Sequence, residues 1–208
     1  KPGDEAVAAG LEVAQQALWQ MGITSVHDFD RRRCFNALQQ LQSRDRLRLR
    51  VVKGIPLEDL DCAVALGLRG GFGNDMLRIG SVKAFADGAL GPQTAAMLQP
   101  YEGNPSNSGF LLMDSEQVFE AGQKAAAAGL SMAIHAIGDR ANHEVLEGYA
   151  QLRQFEAQNG MPERRHRIEH VQILHEQDLN RLSDLKVVAS VQPIHATSDM
   201  VMADRFWG

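Results

Sequence analysis

Apolar positions recur at two spacings along this chain, and the spacing switches repeatedly from one end to the other. Residues 4–20 carry Val7, Leu11, Ala14 and Leu18 at helical spacing, and Gly22 is placed to stop the helix. Ile23 to Phe29 reads as a strand. Phe35, Leu38 and Leu41 mark a second helix; Leu47, Leu49 and Val51 then alternate with arginines, the period of a half-buried strand. Pro56 opens a helix through Leu57, Leu60, Val64 and Leu68, since proline's missing N–H costs nothing in a first turn. Leu77 to Phe85 is a strand. Asp114 or Ser115 caps a helix running to Ala128, with Gly129 ending it. Leu130 to His135 is a short buried strand and 139–158 a long helix ending before Gly160. Arg167 to Val171 is a strand, 175–185 a helix and Val187 to Gln192 a strand.

This pattern predicts six strands, each preceded by a helix. Such alternation argues an α/β fold with a parallel sheet and helical crossovers, and both an open doubly wound sheet and a (β/α)8 TIM barrel satisfy it. Residues 86–113 interrupt the rhythm with Gly88, Gly91, Pro92, Pro100, Gly103, Pro105 and Gly109. A loop this long inside a compact domain is usually functional. It follows the C-terminal end of the strand Leu77–Phe85, where parallel α/β proteins place their sites, so substrate selection is expected there. The glycine-rich stretch 69–73 precedes a strand instead of joining strand to helix, which makes it a poor phosphate loop.

Composition narrows the function classes. With 208 residues and 44% hydrophobic content, the chain can bury a sizeable core and is not of disordered type. The net charge of −5, without a long basic run, argues against nucleic acid as a partner. Arg31-Arg32-Arg33 reads as a solvated helix start. No apolar run approaches the roughly 18 residues needed to span a bilayer, and no signal peptide is visible, so no membrane partner is expected. Cys34 and Cys62 stand in no metal or redox spacing and read as reduced, partly buried thiols, which fits a cytoplasmic protein.

The candidate chemistry starts at Val82-Lys83-Ala84-Phe85-Ala86-Asp87-Gly88-Ala89-Leu90-Gly91. A lysine inside an apolar strand must be paired, neutralised or chemically altered, or else snorkel outward. One alteration is carboxylation by CO2, which converts the amine into an anionic oxygen ligand. His135 and His170 each close a later apolar strand, so a lysine and two histidines end three separate strands, a pattern that suggests a metal centre. Glu169 is expected on the face opposite His170, and His166, about 13 Å away at roughly 3.3 Å per residue, is no co-ligand. His143 and His175 are expected to be exposed, and Asp139 is either a helix cap or a working carboxylate. His27-Asp28 closes the first strand. His195 follows Gln192-Pro193 at the end of the last. Tyr101 and Trp207 read as packing.

Five ordered pieces of this chain together resemble the metal-dependent amidohydrolase superfamily, in its YtcJ-like (amidohydrolase family 3) branch. They are Gly22-Ile23-Thr24-Ser25-Val26-His27-Asp28, the lysine run, His135-Ala136-Ile137-Gly138-Asp139-Arg140-Ala141, Arg167-Ile168-Glu169-His170, and the segment from Ser190 to Met200. The resemblance implies a (β/α)8 barrel with a flanking β-sandwich, of which residues 1–208 form one partial barrel domain holding strands 2–7. Neither strand 1, strand 8 nor the sandwich is expected within it. It also implies that Lys83, His135 and His170 hold one or two divalent metals, zinc foremost, with Lys83 carboxylated. Asp139 and His195 become catalytic candidates, and His27, Asp87 and Gln192 substrate-facing ones. The implied reaction on a small-molecule substrate is hydrolysis of a non-peptide amide C–N bond by metal-activated water.

Departures accompany the match. The family's first-strand His-x-His has no counterpart before Ile23, its last-strand aspartate belongs beyond Gly208, and Pro92-Gln93 stands where many relatives have Ser-Arg. Asp199 and Asp204 lie in the loop after strand 7 and do not replace that aspartate. The chain alone is therefore expected to be catalytically incomplete, with self-association as a homo-oligomer covering the open barrel edges. A non-catalytic metal-binding remnant and a metal-dependent esterase or lactonase are the alternatives.

Overall fold

The computed structural model describes residues 3–208. The chain divides into two compact units, 1–82 with 128–130 and 83–127 with 131–208, and the boundary falls inside one strand, between Val82 and Lys83.

In the first unit, α1 (Asp4–Gln20) packs on α2 (Arg32–Ser43) around β1 (Ser25–Asp28) and β2 (Arg50–Pro56). The apolar stripe foreseen in the sequence forms the core: Ala8, Ala37, Leu38, Leu41, Leu47, Leu49 and Val51 are buried together. Leu47 and Leu49 alternate in burial as their pattern predicts, yet the β2 ladder begins only at Arg50. The reason is Gln15, buried on α1, whose Oε1 accepts from the backbone N–H of Arg48 and Leu49 and whose Nε2 donates to Arg46 O. A side chain thus takes the place of a neighbouring strand. The helix expected through Leu68 is a 3-10 turn at Leu57–Asp59 followed by α3 (Leu60–Ala65), and Gly67, at φ +72°, turns the chain out. β3 (Leu77–Phe85) follows.

The second unit contains α4 (Ser115–Ala127), β4 (Met132–Ala136), α5 (Asp139–Gln158), β5 (Arg167–His170), α6 (Arg181–Asp184), β6 (Val188–Ser190), α7 (His195–Ser198) and α8 (Met200–Trp207). Met132, Ala133, Ile134 and Ala136 are buried on both faces of β4, as a strand covered by helices on one side and by its own sheet's interior on the other must be. The single helix expected over 175–185 is broken after a 3-10 turn at Glu176–Asp178. Asp178 is fully buried, held by His143 at 3.0 Å and by Arg181. α7 and α8 have no counterpart in the predicted elements.

The sheet order is β1-β2-β3-β4-β5-β6, strictly sequential, and the pairs β1/β2, β4/β5 and β5/β6 are parallel. A doubly wound sheet reverses its strand order at a switch point; this sheet never does. The fold is a run of six consecutive β/α units, the element order of part of a (β/α)8 barrel. Among the described residues no helix is long and apolar enough to cross a membrane.

Candidate metal centre

The second unit brings Lys83, His135 and His170 to the C-terminal ends of β3, β4 and β5. His135 and His170 lie edge to face with ring centroids 4.6 Å apart, and His195 continues the row 5.6 Å beyond His170.

His135 Nε2 lies 2.7 Å from Gly88 O. A carbonyl only accepts, so the proton sits on Nε2 and the lone pair on Nδ1. Burial pushes the imidazole down to about 4, with His170 and Lys83 adding to the fall against the Gly88 bond, so it is neutral near pH 7. A neutral ring with one nitrogen anchored to a backbone oxygen is the form in which histidine binds metal.

His170 offers a sharper signal. Its Nδ1 is buried and meets no partner at hydrogen-bond geometry, with the Gln192 side chain bearing on the ring. Such an atom is costly unless something outside the protein meets it. Its backbone is also strained: His170 at φ +78° and Val171 at φ +49° are consecutive left-handed residues without being glycine. This turn ends the pleat, and with it the rule that neighbouring side chains point to opposite faces. Glu169, expected on the face away from His170, instead shares the electrostatic environment of Lys83, His135 and His170, and it is paired with Arg167 at 2.6 Å.

Lys83 is 8% exposed, so it does not snorkel outward. Its ammonium donates to Ala84 O at 2.9 Å and lies 4.0 Å from the centre of the Phe85 ring. Burial lowers its pKa to about 8, opposed by Glu169 and assisted by Arg167. A buried amine that easily sheds its proton, next to two imidazoles with unused lone pairs, fits the donor set of a divalent-metal site.

Asp87, expected against substrate, is 1% exposed. Its carboxylate accepts three backbone N–H groups: Ile137 at 3.0 Å, Gly138 at 2.8 Å and Ala96 at 2.9 Å. Burial lifts it to about 6 in spite of those three bonds. This geometry ties the 86–113 loop to the turn after β4 and sets His135, whose Nε2 is 3.5 Å from Asp87 Oδ1. Gly138 makes the tie possible, since a Cβ there would come within 2.0 Å of Ala96 O. Asp139 performs a similar task one residue on: its Oδ1 accepts from Leu98 N and Arg140 N, both at 2.8 Å.

His195 is held by Asp199, whose Oδ2 is 2.5 Å from His195 Nδ1 and also accepts from Gln172. Gln192 donates to Ser190 O at 2.9 Å and interacts with His170, raising the basicity of that ring against the larger effect of burial. These residues border a cavity of about 410 Å³.

His27 belongs to the first unit, where it is exposed on β1 with its ring 6.2 Å from Phe29. Beside it, Asp28, Asp30 and Cys34 are close enough to share a cation. Asp28 already pairs with the buried Lys53 at 2.8 Å, and Cys34 donates to it. Burial and Asp28 push the Cys34 thiol up to about 12, far from the thiolate that binds metal. Cys62 is exposed, not partly buried.

His166, set aside as a ligand, proves fully buried. It accepts from Met132 N on Nδ1 and donates from Nε2 to Glu156 at 3.0 Å, while Arg153 bonds the other carboxylate oxygen. His143, expected in solvent, pairs with Asp178, and His175 Nδ1 accepts from Gln177 N. The signal for His166 is its position immediately before the strand Arg167–His170, where an imidazole has only backbone and α5 to face.

Comparison with known proteins gives the family. A family model described as "Amidohydrolase family" matches residues 1–208. The chain is 43% identical over 126 residues to "Protein LONG AFTER FAR-RED 3" of Arabidopsis thaliana, covering 61% of this chain and 21% of that protein. It is 34% identical over 123 residues to "Putative amidohydrolase YtcJ" of Bacillus subtilis, covering 59% and 22%. Among solved structures, an uncharacterized metal-dependent hydrolase from Pyrococcus horikoshii superposes with a TM-score of 0.84 at 34% identity, over 98% of this chain and 40% of that one. The chain thus spans about a fifth of the curated relatives and two fifths of the solved one.

Proposed function

Because the chain belongs to the amidohydrolase family, we propose that it carries part of the metal centre of an enzyme that hydrolyses non-peptide amide C–N bonds. The hydrolase class follows from the family, and metal dependence from the solved relative. The finer reading rests on one observation: a buried His170 Nδ1 without a partner at hydrogen-bond geometry, beside a His135 whose free nitrogen is Nδ1.

In this reading His135 and His170 are ligands through neutral nitrogens, and Lys83 is a third ligand once carboxylated. The neutral amine attacks CO2, a C–N bond forms, and a proton leaves to solvent, giving an anionic carbamate oxygen. A divalent ion, zinc foremost, supplies Lewis acidity: it lowers the pKa of water and polarises a carbonyl. His195, oriented by Asp199, holds or moves a proton at Nε2 toward the cavity, and Gln192 contacts substrate beside it. Asp87 and Asp139 hold the loop and the β4 turn in place, so their part is positioning. A first-strand His-x-His and a last-strand aspartate are supplied, by resemblance, from outside residues 1–208, so these residues alone bind metal but turn over poorly.

The test uses the intact protein with an amide and its matched ester, with and without chelator, and carbon-13 bicarbonate labelling. The account expects chelator-sensitive amide cleavage and a carbamate resonance that Lys83→Ala removes. Ester cleavage alone, or amide cleavage indifferent to chelation, would overturn it.

A further inference from the structure

His135 and His170 stand on different strands, and the β4/β5 ladder that sets those strands side by side ends at the pair Ala136 and His170. Beyond it the chain turns away on both sides. Ile137-Gly138 leads into α5, and the left-handed pair His170-Val171 leads toward the turn at Glu176. Two rings 4.6 Å apart at the end of a ladder keep that spacing only where the two turns are themselves tied.

One tie is backbone: Ile173 N donates to Ile137 O at 3.0 Å. The other is a side chain that spacing along the sequence did not mark. Asn142, in the first turn of α5 and 0% exposed, turns its Nδ2 to Gly138 O and Ile173 O, each at 3.0 Å. Ala136 O and Ile137 O lie farther off, at 3.3 and 3.4 Å. An amide nitrogen has two hydrogens, so the two short contacts use both, one for the turn after β4 and one for the turn after β5.

Four carbonyl oxygens around one nitrogen also fix which way the amide faces, because the flipped amide would set an oxygen among four acceptors. Oδ1 meets no hydrogen-bond partner among the described residues. Asn142 therefore serves as a donor alone. Aspartate in its place would repel the carbonyls, and an apolar residue would withdraw both bonds. Asp87 holds the same β4 turn through the N–H groups of Ile137 and Gly138, but it ties that turn to the long loop. The Asn142 tie runs between the two histidine-bearing strands.

We propose that Asn142 is a positioning residue of the metal centre: its amide staples the turn after β4 to the turn after β5 and so sets the spacing of His135 and His170. The metal in that statement rests on the reading above; the ring spacing does not.

The test reads ring spacing apart from metal. The main variant is Asn142→Ser. In a helix a serine hydroxyl bonds the carbonyl four residues back, here Gly138 O, and its single hydrogen leaves Ile173 O unmet. Asn142→Gln keeps both hydrogens on an arm one carbon longer, and serves as the second variant should serine unfold the turn. Leu152→Val is the control: it loosens α5 where that helix packs on Gly122 and leaves the turns alone. Each is made in the intact protein with isotope-labelled histidine rings, studied metal-free by NMR and then titrated with zinc.

The expected result is a through-space contact between the His135 and His170 rings in the metal-free parent and in Leu152→Val, lost in Asn142→Ser and altered in intensity in Asn142→Gln. Zinc affinity is expected to fall on the order of tenfold in the Asn142 variants and not in the control. A ring contact unchanged in the Asn142 variants would overturn the proposal and leave the metal reading standing wherever the parent binds zinc. A zinc affinity that is unchanged, or that falls equally in Leu152→Val, would overturn it too. Loss of the contact in a protein whose parent takes up no zinc supports the positioning role and removes the metal reading.

Discussion

His170 and Val171 spend conformational energy that no packing need explains. Two adjacent left-handed residues cost about 1–3 kcal/mol each, most of all the β-branched one. Replacing Val171 with glycine removes that strain at its source. Where Val→Gly near a strand end ordinarily destabilises, Val171→Gly is expected to be neutral or to stabilise by up to about 1 kcal/mol in urea unfolding. Asp87 makes the opposite case. Asp87→Ala leaves three buried N–H groups unmet, a loss of about 3 kcal/mol or more. Asp87→Asn keeps the shape yet loses acceptors beside His135, and metal affinity is expected to fall about 10- to 100-fold by equilibrium titration. The sequence marked these residues but not their parts. The placing of Lys83, His135 and His170 at three strand ends was legible because each is a polar group near the close of an apolar strand. That Asp87 faces backbone instead of substrate depends on Ala96, nine residues away, and loop conformation is invisible to periodicity.

The elements show the same division. Helices 4–20, 115–127 and 139–158 could be read from their apolar spacing almost to the residue, because each buries one continuous stripe. The strand at 50–56 and the broken helix at 175–185 could not, because single side chains, Gln15 and Asp178, take over backbone or charge pairing that local pattern assigns elsewhere. The α5–β5 connection yields a pH prediction. Burial holds the His166 imidazole below its ordinary value despite Glu156. Burial raises Glu156, but hydrogen bonds from His166 and Arg153 together outweigh it and leave the carboxyl lowered. Both folded-state pKa values are depressed, so the unfolded chain takes up protons first as pH falls. The stabilising contribution is complete above about pH 6.5, drains below it through His166, and drains further below about pH 4.5 through Glu156. Urea midpoints measured from pH 7.5 to 4 are expected to fall. His166→Gln is expected to be less stable by about 1–3 kcal/mol at pH 7.5, and its midpoint should change less between pH 7 and 5. A wild-type midpoint that is level or rising toward acid would contradict this.

At the scale of the whole molecule, the sequential strand order makes the site possible. Each β/α unit advances one position in the sheet, so Lys83, His135 and His170, far apart in sequence, arrive at the same ends of three neighbouring strands. That assembly was legible because both the alternation and the strand-end residues survive in the sequence. The cavity was not, because α7 and α8 are short, 4 and 8 residues, and the residues that firm Trp207 lie in the long loop. The central claim is that these three side chains hold metal. Its most direct test is the metal content of the purified chain by plasma mass spectrometry, beside a Lys83→Ala, His135→Ala, His170→Ala triple variant of matched circular dichroism. The account predicts near-stoichiometric divalent metal, zinc foremost, in the parent chain and its loss in the variant. Equal metal in both, or none in a folded parent chain supplied with zinc, would contradict it.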